Sequence, residues 1–426
     1  METPPFGNAG ACTHCGYCLP SCPTYRVDND ETESPRGRVS IVLALAAGDL
    51  TPDEAGNALS RCLLCRACHL ACPAGVRPGS LVMQARLLAP LRPTLASRLL
   101  HRITDSHRLT ALAALVLRWY RKLGWQDFVR RHAILARFSA LERLESLLPD
   151  PGPEVMFTAS PPEASAAGRP RVALLCGCMA RLFLPHVAPA AANLLVWTGC
   201  DVVVWQGFGC CGSPYREAGD GARFRRQARR TLRAFAAAGP VDAVLCDSAN
   251  CAMTIADYPS ALADDPDFHP LARELVAKTM DFNTFLLQKM PHSPLSGALP
   301  ECESVAYHDH CQTRFELGII EEPRKLLDML PVPRREITPP GTQTACCGAG
   351  GEYLLRQPDR SQAIRERKLD AILATGADCV VAGNPGCMLH LQAGLRQRGA
   401  RVRVRHLAEL LWSAINKPLE PKRGTP

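Results

Sequence analysis

The hydrophobic pattern of the chain changes character near residue 170. Beyond that point, short apolar runs alternate with longer stretches of helical period. Arg171–Leu175, Asp201–Val204 and Val241–Leu245 read as buried strands, separated by a helix running to Thr198 and a long helix over Ala218–Ala238. The cycle begins again with strands at Ser304–Tyr307, Asp378–Val381 and Val402–Arg405 and a helix over Arg360–Thr375. Such alternation predicts parallel α/β sheets. Before residue 149 the period is helical: Arg38–Ala47 stops at Gly48, and a second short helix opens at Pro52 and runs through Leu59.

These shifts divide the chain. The expected layout is a mainly helical unit over 1–80, an arginine-rich helical segment over 81–148 and a linker over 149–170 that carries Pro151, Pro153, Pro161 and Pro162. Two α/β modules follow over 171–300 and 301–417, with a polar tail over 418–426.

Cysteines supply the chemistry. The chain has 21 of them, far more than packing needs, and its length speaks against a small disulfide scaffold. Cys12, Cys15, Cys18 and Cys22 form a C-x2-C-x2-C-x3-C-P run that ends at Pro23; Cys62, Cys65, Cys68 and Cys72 form another that ends at Pro73. This is the bacterial ferredoxin spacing for [4Fe–4S] clusters, in which the fourth thiolate of each run crosses to the other cluster. The expected sets are Cys12, Cys15 and Cys18 with Cys72, and Cys62, Cys65 and Cys68 with Cys22. Zinc sites use pairs of C-x2-C rather than such triplets. Ser34-Pro-Arg-Gly-Arg38, between the runs, reads as a turn and a helix start.

The α/β half repeats itself. Cys178-Met-Ala-Arg corresponds to Cys311-Gln-Thr-Arg, Cys210-Cys211-Gly212 to Cys346-Cys347-Gly348, and Cys251 to Cys387, with 40 positions separating Cys211 from Cys251 and Cys347 from Cys387. Each copy places four sulfurs at the carboxyl ends of predicted strands, where open α/β sheets bind ligands. Both sulfurs of a Cys-Cys pair can serve one site only on a turn, which the glycine permits. Gly350 and Gly351 extend the second turn and are expected to free amides for a bound group. A further iron–sulfur cluster or a zinc ion in one or both modules is the expectation, against buried cysteines acting as small hydrophobes. Cys176, Cys246, His308 and His310 have no counterpart in the other copy and read as packing or supporting residues; Cys200, Cys302 and Cys379 read as structural.

The two cysteine runs followed by two Cys-Cys-Gly modules resemble the iron–sulfur proteins with tandem cysteine-rich domains. That family includes the iron–sulfur subunits of glycolate oxidase (glycolate dehydrogenase), their lactate-utilisation relatives, and parts of anaerobic glycerol-3-phosphate dehydrogenase and heterodisulfide reductase. Cys62-Leu-Leu-Cys65-Arg-Ala-Cys68 and Asn384-Pro-Gly-Cys387-Met-Leu-His-Leu391 look closest to the glycolate oxidase member. The helical spacer between the runs resembles the α-helical ferredoxin domain of succinate dehydrogenase iron–sulfur subunits. The resemblance implies two [4Fe–4S] clusters on the eight N-terminal cysteines and an oxidoreductase subunit that is not catalytic alone. It further implies electron transfer from an FAD-dependent glycolate oxidase subunit to a quinone or other membrane acceptor. A D-lactate or glycerol-3-phosphate dehydrogenase complex, or a thiol/disulfide reductase, is the alternative. Heterodisulfide reductase modules carry a Cys-x-x-Cys whose first position is Ser248 in one copy here and Asn384 in the other, which puts disulfide chemistry in doubt.

Charge refines this picture only slightly. The formal charge is +8, without lysine or arginine runs interleaved with aromatics, so nucleic-acid binding is not expected. The N-terminus lacks the basic and apolar regions of a signal peptide, and Leu109–Trp119 is too short to span a bilayer. A cytoplasmic protein in peripheral contact with the inner face of the membrane is the expectation. Trp119, Tyr120, Trp125 and Phe128 lie among arginines, a pattern shared by a membrane-surface helix and by an ordinary amphipathic helix packed on the ferredoxin unit. The second is the simpler reading. No flavin or nucleotide motif stands out, because Gly348-Ala-Gly350-Gly351 lacks the strand–turn–helix spacing of G-x-G-x-x-G.

Overall fold

A computed structural model of the chain describes residues 6–150, 168–205, 208–290, 301–337 and 346–416, with scattered positions between 293 and 299. Most of the proline-rich linker and the polar tail lie outside the described residues.

The N-terminal unit is helical because its caps and apolar spacing agree. Ser34 caps the Pro35–Ala47 helix by accepting the Gly37 N–H at 2.9 Å, and Gly48 ends it in the left-handed region at φ +83°. Ser34-Pro-Arg-Gly-Arg38 is therefore a helix start. A capping box between Thr51 and Glu54 opens the Pro52–Ser60 helix. These two helices and a third over Pro78–Leu88 bury Val39, Val42, Leu59, Val82 and Ala85 in one small core. Cys12, Cys62 and Cys72 of the two cysteine runs pack against that core.

Four helices follow: Leu95–Thr104, His107–Lys122, Trp125–Arg131 and Ser139–Ser146. The expected support from the ferredoxin unit is corrected here. The His107–Lys122 helix packs instead on the Leu95–Thr104 helix and on the Cys178–Phe183 helix of the first module. Asp105, at its start, accepts hydrogen bonds from Tyr215 and Gln227 of that module, which fixes the choice of neighbour. Its outer face leaves Leu112, Leu115, Val116 and Trp119 exposed.

Each module is a four-stranded parallel sheet. The first has the order β2-β1-β3-β4, from β1 (Arg171–Leu175), β2 (Asp201–Val204), β3 (Ala243–Cys246) and β4 (Thr279–Asp281). The second has β6-β5-β7-β8, from β5 (Val305–Tyr307), β6 (Arg334–Arg335), β7 (Cys379–Val381) and β8 (Arg403–Arg405). The orders are the same, as the repeat requires. The edge strands β4 and β6 are too short to leave a sequence pattern.

The expected helix over 218–238 is present as Gly221–Ala237, and a short helix over Ser213–Ala218 precedes it. The break falls at Gly219 (φ +80°), where a Cβ would lie 1.9 Å from the carbonyl oxygen of Arg86. Close approach of the N-terminal unit, rather than local propensity, imposes it. The modules share one core in which Leu174, Leu195, Leu245 and Phe282 meet Val305, Leu327, Val381 and Leu411. Ser248 and Asn384, equivalent positions of the two copies, touch each other: the Asn384 amide donates to Ser248 Oγ at 3.1 Å.

Candidate metal centres

The N-terminal cysteines gather around two cavities. One is lined by Cys22, Cys62, Cys65 and Cys68, the other by Cys12, Cys15, Cys18 and Cys72. In each, three sulfurs come from one run and the fourth from the other. Leu64 and Arg66 adopt left-handed backbone (φ +54° and +67°), which winds the Cys62–Cys68 loop tightly enough to turn its three sulfurs inward. His14 and Gly16 do the same in the other run, at φ +55° and +86°.

The two cavities differ in surroundings. The Cys12–Cys72 set faces outward: Cys15 is exposed and Tyr17 beside it is 71% exposed. The Cys22–Cys68 set is lined by the buried Arg38 and Arg66, and the buried Arg86 lies behind the Cys62–Leu64 wall. Arg38, 2% exposed, donates to Cys22 Sγ at 3.7 Å, to Thr24 Oγ1 at 3.1 Å and to Glu33 at 2.7 Å. Burial opposes its charge, but Cys62, Cys22 and Glu33 outweigh that and raise its pKa. Arg86 donates to the carbonyls of Leu59, Cys62 and Glu217, and burial pushes it down to about 10. Arg66 donates to Ser80 Oγ at 2.7 Å. The Nε of each of these three arginines is buried without a hydrogen-bond partner among the described residues. Burial also raises the Cys65 and Cys68 thiols, so thiolate formation there needs compensating positive charge. Four sulfurs beside three buried guanidinium groups, each with one N–H unpartnered among the described residues, suit an anionic iron–sulfur cluster.

Both modules bring their four predicted cysteines together at the carboxyl ends of the strands. In the first, Cys210 contacts Cys178 and Cys211, and Cys211 contacts Cys251. In the second, Cys311 contacts Cys346, and Cys347 and Cys387 lie 2.9 Å apart. The Cys-Cys-Gly segments are turns: Gly212 and Gly348 have φ +94° and +86°, and their N–H groups donate to Cys210 Sγ at 3.4 Å and to Cys346 Sγ at 3.3 Å. The second module also meets the inner cavity, since Cys65 and Cys311 pack against one apolar cluster of Ala67 and Phe315, and Cys65 against another that joins Leu63 to Cys346.

Three residues make contacts that the bare chain does not show. A Cβ at Gly350 would meet Leu63 Cδ2 at 2.4 Å, and one at Gly351 would meet Glu217 Oε2 at 2.9 Å, so both glycines mark close approaches. They let the second module close on the Cys62–Cys65 loop and on the first module. Arg38 combines its place in the helix start with a contact to Cys22 that sequence spacing could not reveal. Cys176 and Cys246 are buried with thiols raised by burial, as packing residues would be.

Residues 8–76 match the 4Fe-4S dicluster domain, and residues 172–256 and 305–392 each match the Cysteine-rich domain family. A Bacillus subtilis (strain 168) protein named "Probable glycolate oxidase iron-sulfur subunit" is 33% identical over 95% of this chain and 93% of its own. The "Glycolate oxidase iron-sulfur subunit" of Escherichia coli (strain K12) is 27% identical over 96% and 94%. "Lactate utilization protein A" of Shouchella clausii (strain KSM-K16) is 31% identical over 57% of this chain and 98% of its own. Likeness along nearly the full length of the first two relatives, together with the matched dicluster and cysteine-rich domains, leads to one assignment: the chain belongs to the family of glycolate oxidase iron–sulfur subunits.

Proposed function

We propose that this chain is the electron-transfer subunit of a glycolate oxidase complex, working with an FAD-dependent subunit that oxidises glycolate to glyoxylate. Cys12, Cys15, Cys18 and Cys72 would hold one [4Fe–4S] cluster, and Cys62, Cys65, Cys68 and Cys22 the other. Bound there, the clusters supply one-electron carriage between a two-electron flavin donor and a quinone or other acceptor. The quartets Cys178, Cys210, Cys211, Cys251 and Cys311, Cys346, Cys347, Cys387 would hold further metal.

The observation that carries this reading is the pairing of an exposed cysteine cavity with a buried one that abuts the second module. Exposure at Cys15 and Tyr17 suits the approach of a partner. Arg38, Arg66 and Arg86 screen the inner set from water and balance its charge. Among the described residues no helix is long and apolar enough to cross a membrane. The exposed face of the His107–Lys122 helix, with Arg108 and Arg118 beside it, supports peripheral contact with an anionic surface from the cytoplasmic side.

The test is reconstitution. Purified anaerobically, the chain should carry about eight ferredoxin irons, at four per cluster. It should fail to oxidise glycolate alone, and show reduced clusters by EPR when glycolate and the flavoprotein are both present. Turnover by the chain alone, or clusters that stay oxidised in the full mixture, would sink the reading. Lactate is the second substrate to try, given the lactate-utilisation relative.

A further inference from the structure

The second module contains a donor that the first does not. His308, at the end of β5, is 1% exposed, and neither ring nitrogen has a hydrogen-bond partner among the described residues. A buried imidazole with both nitrogens unsatisfied is costly, and such a group needs an explanation. Its neighbours offer one. A ring nitrogen of His308 and the sulfurs of Cys347 and Cys387 all lie within 4.8 Å of one another.

We propose that the second module binds a single thiophilic divalent ion, zinc or ferrous iron, through His308, Cys347 and Cys387. This rests on the reading of the modules as metal sites and narrows it to one module and three named donors. Two thiolates and a neutral imidazole suit a tetrahedral ion, and three protein donors leave one position for a small exogenous ligand. Binding would release the two thiol protons to solvent. Cys346 lies in the same turn but is otherwise occupied, its sulfur against Cys311 and accepting the Gly348 N–H. His310 does not compete, since its Nδ1 is 3.1 Å from Thr313 Oγ1. The equivalent of His308 in the first module is Leu175, buried in the apolar cluster with Cys211 and Cys251. The two copies are thus chemically distinct, although their folds repeat.

The experiment uses the full chain, purified anaerobically with its ferredoxin clusters, depleted of loosely bound metal and titrated with Co2+ and then Zn2+. The wild type should take up about one Co2+ with thiolate-to-cobalt charge-transfer bands that Zn2+ removes. His308→Leu, which copies the first module, should weaken that binding at least about 10-fold, and His308→Gln should do the same with less change in shape. Cys200→Ser, at a thiol of the shared core outside both sulfur quartets, should leave it unchanged. The ferredoxin EPR signal reports folding in every variant and also separates the two ideas. Its absence from the wild type would overturn the proposed function. Its presence, with cobalt uptake indifferent to His308, would overturn only this inference. Loss of about four irons in Cys347→Ser but not in His308→Gln would also overturn it, in favour of a cluster held by sulfur alone.

Discussion

The two N-terminal cysteine cavities are built from nearly the same motif, yet the fold treats them differently. The Cys12–Cys72 set lies at the surface beside an exposed tyrosine. The Cys22–Cys68 set is lined by Arg38 and Arg66, backed by Arg86 behind Cys62, and met by the second module where Gly350 approaches Leu63. Charge, hydrogen bonds to sulfur and solvent exposure set cluster potentials. Buried guanidinium groups favour the reduced, more negative state. The inner site should therefore hold electrons more tightly than the outer, which gives the pair a direction.

The most severe way to break this comparison is to remove one ligand from each set. Cys62→Ser and Cys15→Ser should each lose about four irons. Each should abolish electron transfer from the flavoprotein, and EPR should show the other cluster surviving. Survival of both signals in either variant would refute the ligand role of the cysteine removed.

Arg38 tests the cause of the difference. Its removal takes one of two close guanidinium partners from the buried Glu33, which keeps Arg61 at 2.5 Å, so Arg38→Gln should cost about 1–3 kcal/mol in chemical denaturation. Arg38→Lys keeps the charge and should cost less. In a redox titration Arg38→Gln should lower the inner midpoint potential by about 60 mV or more, one tenfold step for a one-electron couple, and leave the outer potential in place. Equal shifts at both clusters would show that Arg38 does not distinguish them.

A control of intermediate size touches neither cavity. Glu409 lies at the shared core of the modules, 3.2 Å from His186, and burial pushes its pKa up to about 7. A carboxyl raised above its unfolded value stabilises the fold fully at pH below about 4.5, and that contribution is lost as pH rises through about 7. Glu409→Gln should remove that slope, worth about 3 kcal/mol at most, without altering either EPR signal. His186 acts in the opposite sense, since burial pushes it down to about 4 and its contribution is lost as pH falls below about 6.5. A denaturation midpoint in Glu409→Gln that still declined between pH 5 and 8 as in the wild type would count against this assignment.

The smallest effect should come from Gly350→Ala. A Cβ there collides with Leu63, and the φ of +50° adds backbone strain, together costing on the order of 1–3 kcal/mol. The change should loosen the packing beside the inner cavity and speed oxidation of that cluster by air, while the outer one, already exposed, is unaffected.

The chain by itself determined a great deal here. Ferredoxin spacing is a local property, because three thiolates each separated by two residues converge on one cluster; the eight N-terminal cysteines were legible for that reason, their crossed grouping followed from the motif, and the helix boundaries at Ser34–Arg38, Gly48 and Pro52 followed from local turn and cap residues. The doubled Cys-Cys-Gly pattern likewise carried the repeat and its parallel sheets. Tertiary structure alone decided what depends on distant residues meeting. Arg38 came to line the inner sulfurs with Arg86 behind them, and Gly219 and Gly350 became points of close approach. The 107–122 helix chose the first module as its neighbour through Asp105, and His308 was turned toward Cys347 and Cys387. None of these leaves a spacing in the chain, because each joins elements far apart in sequence through burial and charge, which only the packed molecule brings into contact.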